Sequence, residues 1–517
     1  MNRWKILLLV AAWAVIGLVG FYLYDRTDSE KAAAPTQVLS TGATDEFNKM
    51  RAADKIDDPV QRCLAYPNPV EFDWDKTLVE ALCRLNARKM ISWKEMSDAL
   101  DQQHPEILDQ AFESYQKRTY EGEHGFLTWS YGMFMYPSSA ETALTQHWVD
   151  ADPSSAYALA ARGIHEVSAA FAARGERLTS ETPPENFQRM HELADKAAVD
   201  LSAALVRAPR LIAAYYGLIQ VAQMTGNREL LDDSVKKALA LDPADDWIYA
   251  GWAEAALPKW GGSIEQENAV VARAAGETGR NPLLKLAKAT SICAAATEVY
   301  CTACAHNDPA KALGLYRQVA SIGPANCFVD FAGSIATAKG DLLSAVRYES
   351  QQYRFRRSSD ALAMRASHLV QINQKEWAAE DVQRLIKHRP KTVTGLDNLA
   401  YAEEALNEPQ EAVHTLQRIL EIDPKHTDAQ IRLSRLYLTK VPDRQKAEAL
   451  IDGLLKTDPS LALAWESRAI MVCSQSDEEC RTSLENFLKF ADPKDAYQAR
   501  EIPRARAKLE ELKAQRH

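Results

Sequence analysis

Glu421-Ile422-Asp423-Pro424 and Lys456-Thr457-Asp458-Pro459 end in the same dipeptide 35 residues apart, and Ala240-Leu241-Asp242-Pro243 carries it further upstream. Around these phrases proline returns at a nearly fixed step. Pro390, Pro424, Pro459 and Pro493 are separated by 34, 35 and 34 residues, and Pro209 and Pro243 by 34. Proline lacks the N–H that a helix interior requires, and it pushes the residue before it out of the helical region. Each Asp-Pro therefore ends a helix, and each interval holds one helix–turn–helix unit. Units of this kind bury their apolar faces against their neighbours and stack into a solenoid. A solenoid presents a surface, so what the chain holds is the first question to ask of it.

The unit after Pro424 places Ala429, Leu433, Ser434 and Tyr437 at helical spacing, followed by Ala447, Ile451 and Leu454 before Pro459. The unit from Lys391 repeats this with Leu396, Leu399, Ala400, Ala412, Leu416 and Ile419. The unit from Ser460 has Trp465 and Ala469, with Arg481 where a small residue is expected. Small residues recur because the paired helices cross closely. The pattern resembles the tetratricopeptide repeat family, with departures at Gln430 and Ser434. That resemblance implies an all-α, helical-hairpin solenoid whose concave groove, lined by first-helix residues, takes a peptide or protein. On this register the groove positions are Met364, His368 and Gln371, then Asp397, Tyr401 and Glu404, then Ile431 and Arg435, then Glu466 and Ile470. Chaperone-binding members clamp a C-terminal carboxylate with Lys and Asn. Here Asp397, Tyr401 and Glu466 stand at comparable places, which disfavours a chaperone-tail receptor.

Upstream the interval loosens. Pro324 to Pro390 spans 66 residues, two units with a missing proline near Arg357. Pro153 to Pro209 spans 56, the excess falling in a loop-like stretch from Arg174 to Asn186 that contains Pro183-Pro184. Between Pro243 and Pro324 the phrase Leu257-Pro258-Lys259-Trp260-Gly261-Gly262-Ser263 interrupts the pattern. Ser263 with Gln266 has the spacing of a helix start, and Asn281-Pro282 opens another segment. The sequence thus divides into an irregular helical region (45–150), a divergent repeat-like region (151–290), regular repeats (291–495) and a C-terminal capping helix (496–517) whose amphipathic part follows Pro503. Ala161-Arg162-Gly163, Arg174-Gly175, Asp200 to Pro209 and Pro258 to Ser263 resemble an uncharacterised bacterial family over about residues 100–280. That resemblance implies an architecture and no reaction.

Ile6 to Tyr24 is a run of 19 uncharged apolar, aromatic or small residues, preceded by Arg3 and Lys5. It is long enough to cross a bilayer as a helix, with the positive N-terminal side inside. The expectation is an uncleaved single-pass anchor (1–24) in the cytoplasmic membrane, a polar tether (25–44) and the bulk of the chain on the periplasmic or extracytoplasmic side. The net charge of −10 argues against a nucleic-acid partner. Eight cysteines fall in local groups, as in an oxidising compartment. Cys63 and Cys83, Cys301 and Cys304, and Cys473 and Cys480 are the disulfide candidates, with Cys293 and Cys327 near the second group.

Other constellations give no catalytic signature. Lys259 to Ser263 reads as a tight turn plugged by Trp260, or as an anion site built from Lys259 and backbone N–H groups at a helix start. Cys301-Thr302-Ala303-Cys304-Ala305-His306 has Ala305 where covalent haem attachment needs histidine, and its spacing fits no recognised zinc site. His165-Glu166 and His191-Glu192 lack the second histidine of a zincin helix. No metal, cofactor or catalytic residue is expected. The basic run Arg347, Tyr353, Arg354, Phe355, Arg356 and Arg357 sits late in a helix, where cations complement the dipole. The expected function is a membrane-anchored scaffold for protein–protein interaction. The rival is an enzyme with its site in 100–280, near Arg162, Arg174 and Lys259.

Overall fold

The computed structural model describes residues 41–175, 181–300, 308–387, 390–493 and 495–514. Among the described residues every extended regular element is a helix, and none is long and apolar enough to cross a membrane. The apolar run 6–24 and most of the tether lie outside them. The chain forms two compact units. One comprises residues 57–64 and 70–328; the other takes the residues up to Ile56, 65–69 and 329 onward. We call them the N-terminal unit and the repeat unit.

The repeat unit shows why Asp precedes the recurring proline. Asp423 closes the helix Pro409–Ile422 and Asp458 closes Arg444–Thr457, both with extended backbone angles. Each donates its own N–H to the preceding turn, to Ile419 O and Leu454 O. Each carboxylate then accepts the N–H two residues on, from Lys425 at 3.1 Å and from Ser460 at 2.9 Å. Proline enforces the extended angle, and aspartate supplies the acceptor that shapes the turn. The small residues do what close crossing requires: Ala412, Ala429 and Ala447 have no exposure. At Gly395 a Cβ would lie 1.8 Å from an oxygen of Asp360. Near the missing proline the helix Leu342–Arg356 ends instead on Arg357 in the left-handed conformation. The last helix, Ala496–Ala514, runs through Pro503 and starts before it, and packs Ala505, Leu509 and Leu512 with Leu484 and Phe487.

One element of this unit comes from the other end of the sequence. The helix Thr41–Ala53 contributes Phe47, Met50 and Ala53 to a core with Leu369, Trp377 and Leu385.

In the N-terminal unit the helices Glu106–Tyr120, Ser139–Ala151 and Ala156–Arg174 surround an aromatic cluster of Phe112, Tyr131, Phe134 and Trp148, none with measurable exposure. Ala156–Arg174 crosses Pro184–Arg207 closely at Gly163, where a Cβ would lie 2.8 Å from Leu201 Cγ. The Asp-Pro turn recurs here at Asp152 and Asp242 with the same acceptor geometry. Ser263 caps the helix Ile264–Gly276, accepting the Gln266 N–H at 3.2 Å. Asn281-Pro282 opens a 3₁₀ segment, Pro282–Ala289. Disulfides join Cys63 to Cys83 and Cys293 to Cys327 in this unit, and Cys473 to Cys480 in the repeat unit. Cys301 and Cys304 lie outside the described residues.

Candidate functional site

The first helices of the repeats, Ser359–Gln371, Val393–Ala405, Thr427–Thr439 and Ala462–Val472, carry the ten groove positions read from the sequence. Several of these residues are joined from one first helix to the next. Arg432 Nη1 donates to Asp397 Oδ1 at 2.5 Å, and its Nε donates to Glu404 Oε1 at 2.8 Å. Arg435 pairs with Glu466 one repeat further on, and Glu466 also accepts the hydroxyl of Tyr497 at 2.7 Å. The Arg435 guanidinium lies over the Tyr497 ring, 4.4 Å from its centre. Asp397, Glu404, Arg435 and Glu466 thus form two ion-paired rungs. Arg432, the centre of the first, was not among the sequence-derived positions. It stands next to Ile431, and only the helix rotation reveals which of the two reaches Asp397.

Glu466 is itself buried within its rung, and two further groove positions lie in the interior. His368 is buried, with Nδ1 3.0 Å from Glu349 and Nε2 3.4 Å from Thr337. Ile431 is buried against Leu454 and Ala464. Met364 and Gln371 are half-buried. Tyr401 and Ile470 remain the apolar groups that reach solvent, at 37% and 44% exposure. An exposed tyrosine and isoleucine beside charges already fixed by partners offer apolar contact next to oriented carboxylates and guanidinium.

The motifs of the divergent region are engaged within their own unit. Arg162 Nε and Nη2 hold the Asp200 carboxylate at 2.5 and 2.8 Å, and its Nη1 reaches Gln146. Arg174 lies against the rings of Phe187 and Trp260 and donates to Gly175 O. Lys259 pairs with Glu254 at 2.9 Å, and Arg228 donates to Trp260 O at 2.7 Å. A Cβ on Gly262 would stand 2.0 Å from the carbonyl oxygen of Ala256. Lys259 to Ser263 therefore forms a packed turn whose cation is neutralised and whose helix start is capped by Ser263.

Two sets of ionisable groups in this unit escaped the sequence reading. Burial, with Asp200 adding to it, pushes the Glu166 carboxyl up to about 7. The turn Asp242 to Asp246 gathers three carboxylates. Asp242 takes His124 Nδ1 at 2.7 Å and the Gly125 N–H at 3.3 Å. Asp245 accepts from Thr128 Oγ1 at 2.8 Å, and Asp246 from Asn281 Nδ2 at 3.0 Å. Burial raises Asp245 well above the usual carboxylate range and Asp246 to about 6, while the hydrogen bond to Asp242 raises His124. The turn ties the 123–128 loop and Asn281 to one point. Among the described residues no group of three or more His, Cys, Asp and Glu side chains is arranged to hold a metal ion.

Residues 405–469 match the tetratricopeptide repeat family. No curated protein matches the chain. Solved structures similar to it include the Cut9–Hcn1 hetero-tetramer of the APC/C, with 13% identity, a TM-score of 0.35, and 79% of this chain and 95% of that chain covered. Yeast Tom70 has 12% identity, a TM-score of 0.31, and 84% and 96% coverage. The P58(IPK) TPR domain has 12% identity, a TM-score of 0.21, and 79% and 99% coverage. Superpositions this loose say nothing of partners. The matched stretch runs through the repeats whose Asp-Pro turns and small-residue crossings are described above, so residues 405–469 are similar to tetratricopeptide repeats in sequence and in helix pairing.

Proposed function

We propose that this chain is a membrane-anchored scaffold that works on the outer side of the cytoplasmic membrane and grips a peptide segment or helix of a protein partner in the first-helix groove of its repeats. The observation that carries the reading is the pair of ion-paired rungs, Asp397–Arg432–Glu404 and Arg435–Glu466–Tyr497, beside exposed Tyr401 and Ile470. The rungs orient charge without leaving it unpaired, and the two apolar groups supply contact area. The disulfides among the described residues suit an oxidising compartment, and the run Ile6 to Tyr24 suits an anchor. Arg162, Arg174 and Lys259 are each held by groups of their own unit. That is why the scaffold leads over an enzyme in residues 100–280.

Crosslinking capture of the full chain from its membrane tests the reading. Tyr401→Ala with Ile470→Ala should cut recovery of the partner about tenfold while the thermal midpoint stays within about 2 °C. Undiminished capture by this double variant would remove the groove from the proposal. A reporter fused after residue 45 reads the topology, and activity only with a cytoplasmic reporter would reject the extracytoplasmic placement.

A further inference from the structure

The apolar run 6–24 and the repeats stand at opposite ends of the sequence, yet the first described helix belongs to the repeats' own compact unit. Its contacts are specific. Glu46 Oε2 accepts from Arg347 Nε at 2.8 Å, and Phe47 meets Trp377 edge-on with ring centres 5.7 Å apart. Arg51 Nη2 donates to Glu380 at 2.7 Å. Asp54 Oδ2 accepts from Arg365 Nη2 at 2.7 Å, and both side chains are fully buried. Further along, Pro67 O accepts from Gln351 Nε2 at 3.0 Å and Asn68 Oδ1 from Arg354 Nη1 at 3.1 Å. Arg347, Gln351 and Arg354 lie at i, i+4 and i+7 on the second helix Leu342–Arg356, and so form one polar stripe. The N-terminal segment covers that stripe.

Arg365 shows that this docking is not incidental. It lies between Asp54 and Asp381, over the rings of Tyr353 and Trp377, with Arg384 also bonded to Asp381. Two guanidiniums balance two carboxylates. Without residues 41–56 a buried guanidinium would share one carboxylate with a second cation, a costly arrangement.

We infer that residues 41–56 and 65–69 are a strut that fastens the membrane tether directly onto the repeats, so that the repeats, last in the sequence, sit next to the bilayer. This rests on the anchoring proposed above. Residues 25–40 are all that separates Tyr24 from the helix beginning at Thr41. Fully extended they reach about 55 Å at roughly 3.4 Å per residue.

Two measurements on the full-length chain test this separately. Hydrogen exchange in detergent compares wild type with Phe47→Ala/Asp54→Ala and with the milder Glu46→Gln. Exchange across residues 342–387 should speed up at least tenfold in the double variant and about threefold in Glu46→Gln, while residues 444–490 keep their rate. Unchanged exchange across 342–387 in both variants overturns the strut. In vesicles, a fluorophore placed at the exposed Glu376 should be quenched at least twofold by a headgroup acceptor. Absence of quenching in a chain that alkaline carbonate leaves in the membrane overturns the proximity. A chain stripped off by carbonate, with the exchange coupling intact, overturns the anchoring and leaves the strut standing.

Discussion

The repeats from Val393 to Phe490 and the helices from Glu106 to Gly276 build hairpin upon hairpin, but they are held by different means. In the repeats the interior is largely apolar and periodic: Leu396, Ala412, Leu416, Ala429 and Leu433 recur in register, and charged side chains pair in rungs between successive first helices. In the N-terminal unit the core is an irregular aromatic cluster, and a turn of three carboxylates fastens a loop and an asparagine from distant segments. A periodic solenoid needs only neighbour contacts, whereas an aperiodic helical unit must fix its segments by specific polar bonds and bridges. Disulfides follow the same division. Among the described residues the N-terminal unit has two bridges closing 20 and 34 residues, and the repeat unit one closing 7.

Reduction should therefore separate the two units most clearly. On the chain-entropy account, loops of these lengths correspond to about 3.3, 3.8 and 2.4 kcal/mol. Removing the two N-terminal bridges together, as Cys63→Ser/Cys83→Ser with Cys293→Ser/Cys327→Ser, should leave residues 76–276 exchanging amide hydrogens orders of magnitude faster. The pair Cys473→Ser/Cys480→Ser should affect chiefly residues 462–490, and less severely. Equal responses in the two units would erase the distinction.

Substitutions in each interior come next. Leu433→Ala removes a buried side chain from the periodic core and should cost about 3 kcal/mol through the cavity it leaves. Gly262→Ala acts in the opposite sense, driving a methyl into the Ala256 carbonyl, and should cost about 3 kcal/mol by forcing the turn open. Chemical denaturation of the full chain, followed by the exchange of each unit, checks both. The glycine variant should loosen residues 246–276 and leave 427–457 untouched, and the leucine variant should do the reverse.

A smaller and more diagnostic effect concerns pH. Asp246 is raised to about 6 and Glu166 to about 7, and Asp245 and His124 are also raised. A group whose folded value lies above its unfolded value holds its proton more tightly when folded. Its contribution is fully present below the unfolded value and is lost as pH rises through the folded one. The N-terminal unit should thus weaken as pH rises from about 4 to about 7, by about 2 kcal/mol, with the buried His165, whose pKa is lowered, offsetting part of the loss. Glu166→Gln should flatten the upper part of that profile. A unit that gained stability between pH 5 and 7 would contradict the burial of this turn.

How much of this was legible in the sequence follows from what each region relies on. The Asp-Pro interval, Ala412, Ala429 and Ala447 announce the repeats because one local rule is applied several times over. The docking of Glu46, Phe47 and Asp54 onto Arg347, Trp377 and Arg365 was not legible, since about 300 residues intervene and no period links the two sets. The run Arg347 to Arg357 read as dipole-complementing cations for the same reason. Arg347, Arg354 and Arg356 in fact engage Glu46, Asn68 and Asp330. His368 fell on a groove position by register, yet Glu349 on the adjacent second helix draws it inward, and a one-dimensional pattern does not contain that contact.

The smallest expected effect sharpens the comparison at the phrase Pro258 to Ser263, where the repeat interval breaks. If the phrase is a packed turn, its cation is dispensable and its glycine is not. Lys259 is about one-third exposed, and its partner Glu254 also accepts the Trp260 indole N–H at 3.3 Å. An ion pair open to solvent contributes little, so Lys259→Ala should cost less than about 0.5 kcal/mol. The Arg174 contact with the Trp260 ring should survive, because Arg228 still holds Trp260 O and Ser263 still caps the next helix. Tryptophan fluorescence and the denaturation midpoint of the variant should then overlay those of the wild type, in contrast to Gly262→Ala three residues on. A loss of cellular phenotype in Lys259→Ala with the fold intact would reverse the assignment. It would return this turn to chemistry and make the irregular unit, rather than the repeats, the place where the protein acts.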